Sequence, residues 1–302
     1  MRNLVVGVDG APASRHALDW AVAAVGPDGA LHLVAASEPA SGFVAGEPPE
    51  RVGAALRRAV TALAAEAVGD RVATVTVTAS AACAADALGA AAQDHAADAI
   101  VVGAHVAPRA APRRIGATIR HLLDTLATPL VVVPSGPVGA LDAGGPVIVG
   151  VGHGDATHAA VRWAARLAAE RELAIGLVRA TGEQPVFDVD GLLNLLAYYI
   201  DPAQRAVWTR EDLAMFAAEA QAVTDPEIAI GTTAVPGRPA HRLVDASATA
   251  TLLVIGRHRS MLTGDAQTTR SLRHALTHAR CPVVVIPADG ADGRGGTPAT
   301  EG

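Results

Sequence analysis

Lysine is absent from this chain, and all 24 of its basic residues are arginine. Without an ε-amine it can have neither the phosphate loop that ends in G-K-[ST] nor Schiff-base or pyridoxal-aldimine chemistry. Aromatic residues are 3% of the sequence and Ala supplies roughly a fifth, so any core is aliphatic and built from small side chains. The two cysteines, Cys83 and Cys281, lie far apart and form neither a C-x-x-C pair nor a disulfide framework, and they read as buried or half-buried thiols. Apolar runs are short: none approaches the ~18 residues of a membrane span, and the opening MRNLVVGVDG turns polar at Asp9, too soon for a signal-peptide core. A net charge of -6 argues against a nucleic-acid partner. The expectation is a soluble cytoplasmic protein with no nucleic-acid and no membrane partner.

What is present is a repeat. Leu4-Val5-Val6-Gly7-Val8-Asp9-Gly10 aligns with Val147-Ile148-Val149-Gly150-Val151-Gly152-His153, and Trp20 with Trp163, at an offset of 143 residues. Later, Ile100-Val101-Val102-Gly103 aligns with Leu253-Val254-Ile255-Gly256, and the run from Pro129 to Pro134 with that from Pro282 to Pro287, at an offset of 153. The second copy therefore carries about ten extra residues in its middle. The expected organisation is a domain over 1–136, a Gly/Pro-rich linker over 137–146, a second domain over 147–288 with an insertion near 185–223, and a disordered tail over 289–302.

In the first copy short Val-rich runs predict strands at Leu4–Val8, Leu31–Ala35, Val72–Val77, Ala99–Val102 and Leu130–Val133. Between them, Ala-rich stretches at Ser14–Val25, Glu50–Ala67, Ala84–His95 and Ile115–Leu126 have helical spacing, with Ser14 as a candidate N-cap. Apolar strands alternating with helices predict an α/β fold: two tandem doubly wound, Rossmann-like domains, each a five-stranded, mostly parallel sheet flanked by helices. Ligands in such sheets bind beyond the carboxyl ends of the strands where the winding reverses. Attention therefore falls on the ends of the first and fourth strands.

The first strand runs into Asp9-Gly10-Ala11-Pro12. The fourth ends at Gly103-Ala104-His105, passes Arg109, Arg113 and Arg114, and reaches Gly116-Ala117-Thr118 at a helix start. Glycines let a phosphate approach the backbone, and a helix N-terminus attracts an anion. This arrangement resembles the universal stress protein family, whose ATP-binding members carry G-x2-G-x9-G-[ST] between strand four and the last helix. The resemblance extends over nearly the whole chain twice, through VVGVDGAPAS, Gly237-Arg238-Pro239-Ala240, ATPLVVVP and ARCPVVVIP. It implies a stress-response regulator that binds ATP or a related adenine nucleotide, with Mg as an accompanying ion. By this resemblance the ligand contacts in the first copy are Asp9, Gly10, Ala36 (beside the adenine, through backbone), Gly103, His105, Gly116, Ala117 and Thr118. In the second they are Gly256, Arg259 and Arg270. It also implies an internal pseudo-dimer in which Leu130–Val133 and Val283–Ile286 meet across a pseudo-twofold axis, and it leaves a homodimer open.

Both copies depart from the pattern. In the first, Gly103 and Gly116 stand at the outer glycine positions, but Val106 replaces the middle glycine and Ala117 the hydroxyl residue, with Thr118 one residue on. In the second only Gly256 is kept; Arg259 replaces the middle glycine, Thr269-Arg270 the Gly-Ser, and Gly152 the strand-one acid. A charge-assisted phosphate hydrogen bond contributes about 1.5–3 kcal/mol, so losing two weakens binding by at least about a hundredfold. Nucleotide binding is thus expected in the first copy only, and weakly. Arg109, Arg113, Arg114, Arg257, Arg259 and Arg270 are fork-shaped donors suited to phosphate, but also ordinary solvated loop residues. His105 and His258 stand at equivalent loop positions and have the same two readings.

His274, His278 and Cys281 form H-x3-H-x2-C, yet Cys281 precedes Pro282 at a strand start and a fourth ligand is lacking, so no metal site is expected. Trp20 and Trp163 read as core anchors. The insertion, Pro185–Val223, holds both tyrosines, Trp208, Met215 and Phe216, with an apolar helix at Leu192–Ile200 and a helix start at Thr209-Arg210-Glu211-Asp212. It is either a surface for a protein partner or a local subcore. No catalytic constellation is present, so the chain is not expected to be an enzyme, with slow hydrolysis of a bound nucleotide left open. The alternative function is a non-nucleotide interaction module on the same fold.

Overall fold

The computed structural model describes residues 1–36, 49–68, 72–104, 115–125, 127–136, 144–152, 154–181, 202–257 and 269–287. His105, Val106, Arg109, Arg113, Arg114, His258, Arg259, the stretch Leu192–Ile200 and the tail 289–302 lie outside them.

The elements of the first half are β1 (Asn3–Gly7), α1 (Pro12–Val25), β2 (Ala30–Ala36), α2 (Pro49–Val68), β3 (Thr74–Ser80), α3 (Ala84–Asp94), β4 (Ala99–Gly103), α4 (Ala117–Thr125) and β5 (Leu130–Val133). The second half follows with β6 (Val147–Gly150), α5 (Asp155–Arg171), β7 (Ile175–Thr181), α6 (Pro202–Gln221), β8 (Ile230–Pro236), α7 (Pro239–Ala246), β9 (Leu252–Gly256), α8 (Arg270–His278) and β10 (Val283–Ile286). All ten strands form one sheet in the order β3-β2-β1-β4-β5-β10-β9-β6-β7-β8. Within each half the pairing is parallel, and the winding reverses between β1 and β4 and again between β6 and β9. The halves join through one antiparallel pair, β5 with β10, in which Val131 lies opposite Val284. These two are counterparts in the repeat, so the pseudo-twofold axis passes between them.

Alternation along each strand feeds two apolar layers. Val101, Val131, Val133, Val284 and Ile286 face one layer, with α1 and α5; Ile100, Val102, Leu130, Val132, Val283 and Val285 face the other, with α3, α4 and α8. Both layers run unbroken across the β5–β10 seam. Trp20 and Trp163 are buried in the first layer. Arg171 of α5 donates to the carbonyl of Ala24 near the end of α1, placing a cation at the negative end of that helix and tying the halves together a second time.

Four expectations shift. β3 begins at Thr74 rather than Val72 and, like β8, is largely solvent-accessible, because both are edge strands with one side unpaired. Helix α4 begins at Ala117 rather than Ile115. Ser14 is not the N-cap of α1: Ala11 holds that position, Pro12 opens the helix, and Ser14 is buried inside the first turn, where its hydroxyl donates to the Ala11 carbonyl. Thr209-Arg210-Glu211-Asp212 lies in the middle of α6, which starts at Pro202.

Helix α6 occupies in the second half the place of α2 in the first, and one of its faces is core: Leu213, Phe216 and Ala220 are buried. Ion pairs of Arg179 with Asp212 at 2.5 Å and of Arg162 with Glu219 at 2.9 Å hold it, and His158 hydrogen-bonds the same Glu219 at 2.6 Å. Trp208 and Met215, on the other hand, are 46% and 47% exposed.

At the amino end of the sheet His32 forms a polar cluster. Its Nε2–H donates to Asn3 Oδ1 and its Nδ1 accepts from the Thr76 hydroxyl, both at 2.7 Å, and it stacks on His95 at 3.7 Å. The neutral imidazole is fully satisfied there, and desolvation, with His95 adding to it, lowers the His32 pKa. His274 is lowered in the same direction by burial, then by His278 and His241.

Two strand ends impose the tightest contacts. A Cβ on Gly103 would lie 2.2 Å from the Ala13 carbonyl oxygen, and one on Gly256 would lie 2.1 Å from that of Ala156. In both halves, then, the fourth strand reaches the backbone of the first helix with no room for a methyl group.

Three outcomes follow from this packing. Gly103→Ala and Gly256→Ala are each expected to lower the unfolding free energy by about 1–3 kcal/mol, read from urea midpoints, because backbone must move. Phe216→Ala is expected to cost about 3–5 kcal/mol, whereas Trp208→Gln should stay within about 0.5 kcal/mol of wild type. The lowered pKa values of His32 and His274 mean that the unfolded chain binds protons the native state resists. Stability is therefore complete above the ordinary imidazole range and is lost as pH falls through it; urea titrations at falling pH should show the decline, and His32→Gln should flatten it.

Candidate functional site

The carboxyl end of β1 and the start of α1 are shaped by local hydrogen bonds. Gly10 adopts φ +82°, a conformation that favours glycine. The Asp9 carboxylate accepts from the Ala11 N–H at 2.9 Å, an Asx turn, while the Asp9 N–H donates to Ser14 Oγ at 3.4 Å. Asp9 is exposed, at the edge where a ligand would lie. The N–H to hydroxyl bond has its counterpart in the second half, where the Gly152 N–H donates to Thr157 Oγ1 at 3.3 Å, but Gly152 brings no carboxylate.

Beside β1, Ala36 closes β2 and is half-buried; Gly103 closes β4, and Ala104 is pinned by its N–H to the Val133 carbonyl at 2.7 Å. Across from them α4 begins. The Gly116 carbonyl accepts from the Arg120 N–H at 3.1 Å, so Gly116 is the N-cap residue. A glycine has no side chain to cap with, which leaves the first-turn amides of Ala117, Thr118 and Ile119 without intrahelical acceptors. A Cβ on Gly116 would meet nothing within 4 Å among the described residues. Ala117 is exposed and Thr118 half-buried, with its hydroxyl on the first turn. Asp9, Gly10, Ala36, Gly103, Gly116, Ala117 and Thr118 therefore all stand at the carboxyl edge of the first half's strands or on the helix that starts there; His105 lies outside the described residues.

The second half differs at each corresponding point. Gly256 is buried against Ala156, and the next residue, Arg257, is also buried where the first half has Ala104. Arg179, buried on β7 in the place of Ala35, pairs with Asp212. The N-cap of α8 is Thr269, whose Oγ1 accepts from the Leu272 N–H at 3.2 Å. This helix terminus is capped by its own side chain, and Arg270, its first residue, is exposed. Because β5 and β10 are antiparallel, the two sets of strand ends lie at opposite edges of the sheet and cannot build a shared pocket.

His274 and His278 stack at 4.2 Å, and His241 meets His274 edge-on at 5.1 Å. Cys281 sits in the core behind them, where burial pushes its thiol up to about 12, so it stays a protonated, inert side chain. Sequence reading missed a second cluster, Cys83, Asp86 and His121, whose donor atoms lie within 4.8 Å of one another. The C-x-x-D spacing at the start of α3 was its only visible trace, since the histidine comes from α4.

Comparison with known proteins agrees with this architecture. A universal stress protein from Archaeoglobus fulgidus DSM 4304 superposes with a TM-score of 0.67 at 12% identity, over 95% of this chain and 98% of that one. A putative universal stress protein from Pseudomonas aeruginosa UCBPP-PA14 gives 0.59 at 16%, over 95% and 93%. No curated protein matches the chain. The sequence model of the Universal stress protein family matches residues 1–134 and again residues 145–287, and the chain belongs to that family, carrying its unit twice.

Proposed function

We propose that this universal stress protein is a regulator that binds ATP or a related adenine nucleotide in its first domain alone, with 1–136 and 147–288 as its two domains. The observation that carries the reading is the contrast between the two helix termini. In the first half the N-cap of α4 is Gly116, which has no side chain to cap the first-turn amides at the carboxyl edge of the sheet, whereas in the second Thr269 occupies the equivalent amide of α8 with its own hydroxyl. An anion at α4 gains first-turn N–H donors and the positive end of the helix dipole. At α8 it would have to displace a cap that contributes about 1 kcal/mol.

The roles follow from position. The amides of Ala117 and Thr118 and the Thr118 hydroxyl receive phosphate oxygens, with His105 and the arginines of 105–114 as the nearest side-chain donors in sequence. Asp9 and Gly10 frame the ribose side, and Ala36 the adenine, through backbone groups that side-chain changes leave intact. Mg accompanies the phosphates. The chain acts by binding and not as a dedicated enzyme. The second reading, an interaction module, is favoured by one feature, the exposed Trp208 and Met215 on α6.

Calorimetric titration with ATP and Mg separates the readings. One nucleotide per chain is expected, with Gly116→Arg weakening it by at least about tenfold, since each charged hydrogen bond lost contributes about 1.5–3 kcal/mol. Gly116 is free of packing contacts among the described residues, so that variant should fold. No heat at millimolar nucleotide sinks the nucleotide reading, and two sites per chain refute the assignment to one domain.

A further inference from the structure

Among the described residues one group of three or more His, Cys, Asp or Glu side chains brings its donor atoms within 4.8 Å of one another: Cys83, Asp86 and His121. Its parts come from two helices. Cys83 is the N-cap of α3, with Asp86 three residues on, and His121 reaches across from α4. The two Asp86 oxygens each hold one of the others: Cys83 Sγ donates to Oδ2 at 3.0 Å, and His121 Nε2 lies 3.1 Å from Oδ1.

We propose that Cys83, Asp86 and His121 form a divalent metal site of the zinc type, with Sγ, a carboxylate oxygen and Nε2 as three ligands and water as the fourth. The donor set is the first support: sulfur, imidazole nitrogen and carboxylate oxygen are the zinc ligands, and three from protein plus one water is the arrangement of an open site. Spacing is the second. The carboxylate stands between the other two groups, with Sγ 3.0 Å from Oδ2 and Nε2 3.1 Å from Oδ1, and one ligand atom from each of the three residues lies within 4.8 Å of the others. Small side-chain rotations admit the ion. Exposure is the third: the Asp86 and His121 side chains are 63% and 48% exposed, so an ion has an entry path and a water has room.

As an N-cap alone the arrangement makes little sense. Cys83 Sγ accepts the Asp86 N–H at 3.5 Å, and sulfur is a weak acceptor where Ser, Thr, Asp or Asn is preferred. Nor does capping call for an imidazole from a neighbouring helix. On binding, the Cys83 thiol proton passes to solvent and the thiolate takes its place on the metal. The site is independent of the nucleotide reading, since none of its ligands belongs to the proposed nucleotide contacts.

The test uses the full chain, free of any affinity tag, with Zn²⁺ in calorimetry and Co²⁺ in absorption. One Zn²⁺ per chain is expected, and Co²⁺ should give a near-ultraviolet thiolate-to-cobalt charge-transfer band. Cys83→Ser should abolish the band while keeping a good N-cap. Cys83→Ser and His121→Ala should each weaken Zn²⁺ at least about 10–100-fold, the loss that even outer-shell ligand partners cause. His274→Gln, in the other imidazole cluster, should leave binding unchanged. His121→Ala removes a half-exposed side chain, so it reports even if Cys83→Ser folds poorly by circular dichroism. A band that survives Cys83→Ser, Zn²⁺ affinity unmoved by both substitutions, or no Zn²⁺ binding at all would overturn the proposal.

Discussion

The pairing of β5 with β10 is the contact on which the rest of this molecule depends. Each of these strands is four buried aliphatic residues, LVVV and VVVI, with no charge, proline or bulge to protect an edge. Left unpaired, either would be an aggregation-prone edge. Joined antiparallel, each hides the other's open hydrogen-bonding side, and both apolar layers become continuous from one half to the other. The sheet then ends at β3 and β8, which are rich in Thr and largely exposed, as tolerable edges should be. The same antiparallel step turns the second half end over end, so the strand termini of the two halves face opposite ways. Whatever each half binds, it binds alone.

A second constraint lies where β4 and β9 reach the first helix of their own half. Gly103 and Gly256 admit the backbone of Ala13 and Ala156 at distances no Cβ could tolerate. These are the glycines that both copies share at this motif, and packing suffices to require them. Their presence therefore says little about a ligand. Gly116 is the opposite case: among the described residues no neighbour crowds it, and its φ is not positive, so neither packing there nor backbone conformation calls for a glycine.

Much of the fold was legible because it is written in short-range pattern. Val-rich runs of four or five residues separated by Ala-rich helices gave the strands and their parallel order, and the seam was what the family resemblance implied. What escaped depends on which groups meet in space. Ser14 looked like a cap by residue type, yet Pro12 starts the helix earlier and leaves the hydroxyl inside the first turn. Thr209 looked like a helix start, but Pro202 already provides one. The cluster on His32 draws on Asn3, Thr76 and His95, from three separate segments, and no linear motif announces it. At the candidate site, the self-cap that Thr269 provides and that Gly116, without a side chain, cannot provide required the hydrogen bonds.

That difference shows how one fold can hold two unlike helix termini. The seam and the strand-end glycines are fixed by sterics in both halves, but a helix N-terminus needs only some acceptor for its amides. A side-chain hydroxyl satisfies that need from within; a glycine leaves it to be satisfied from outside, by water or by an anion. In the second half three changes act together: Thr269 supplies the acceptor, Gly152 removes the carboxylate, and Arg257 and Arg179 fill buried positions that are Ala104 and Ala35 in the first. None of them touches the seam or the close glycine contacts. The second half can therefore cap its helix terminus from within at no cost to the sheet, whereas in the first the N-cap residue Gly116 brings no side chain to do so.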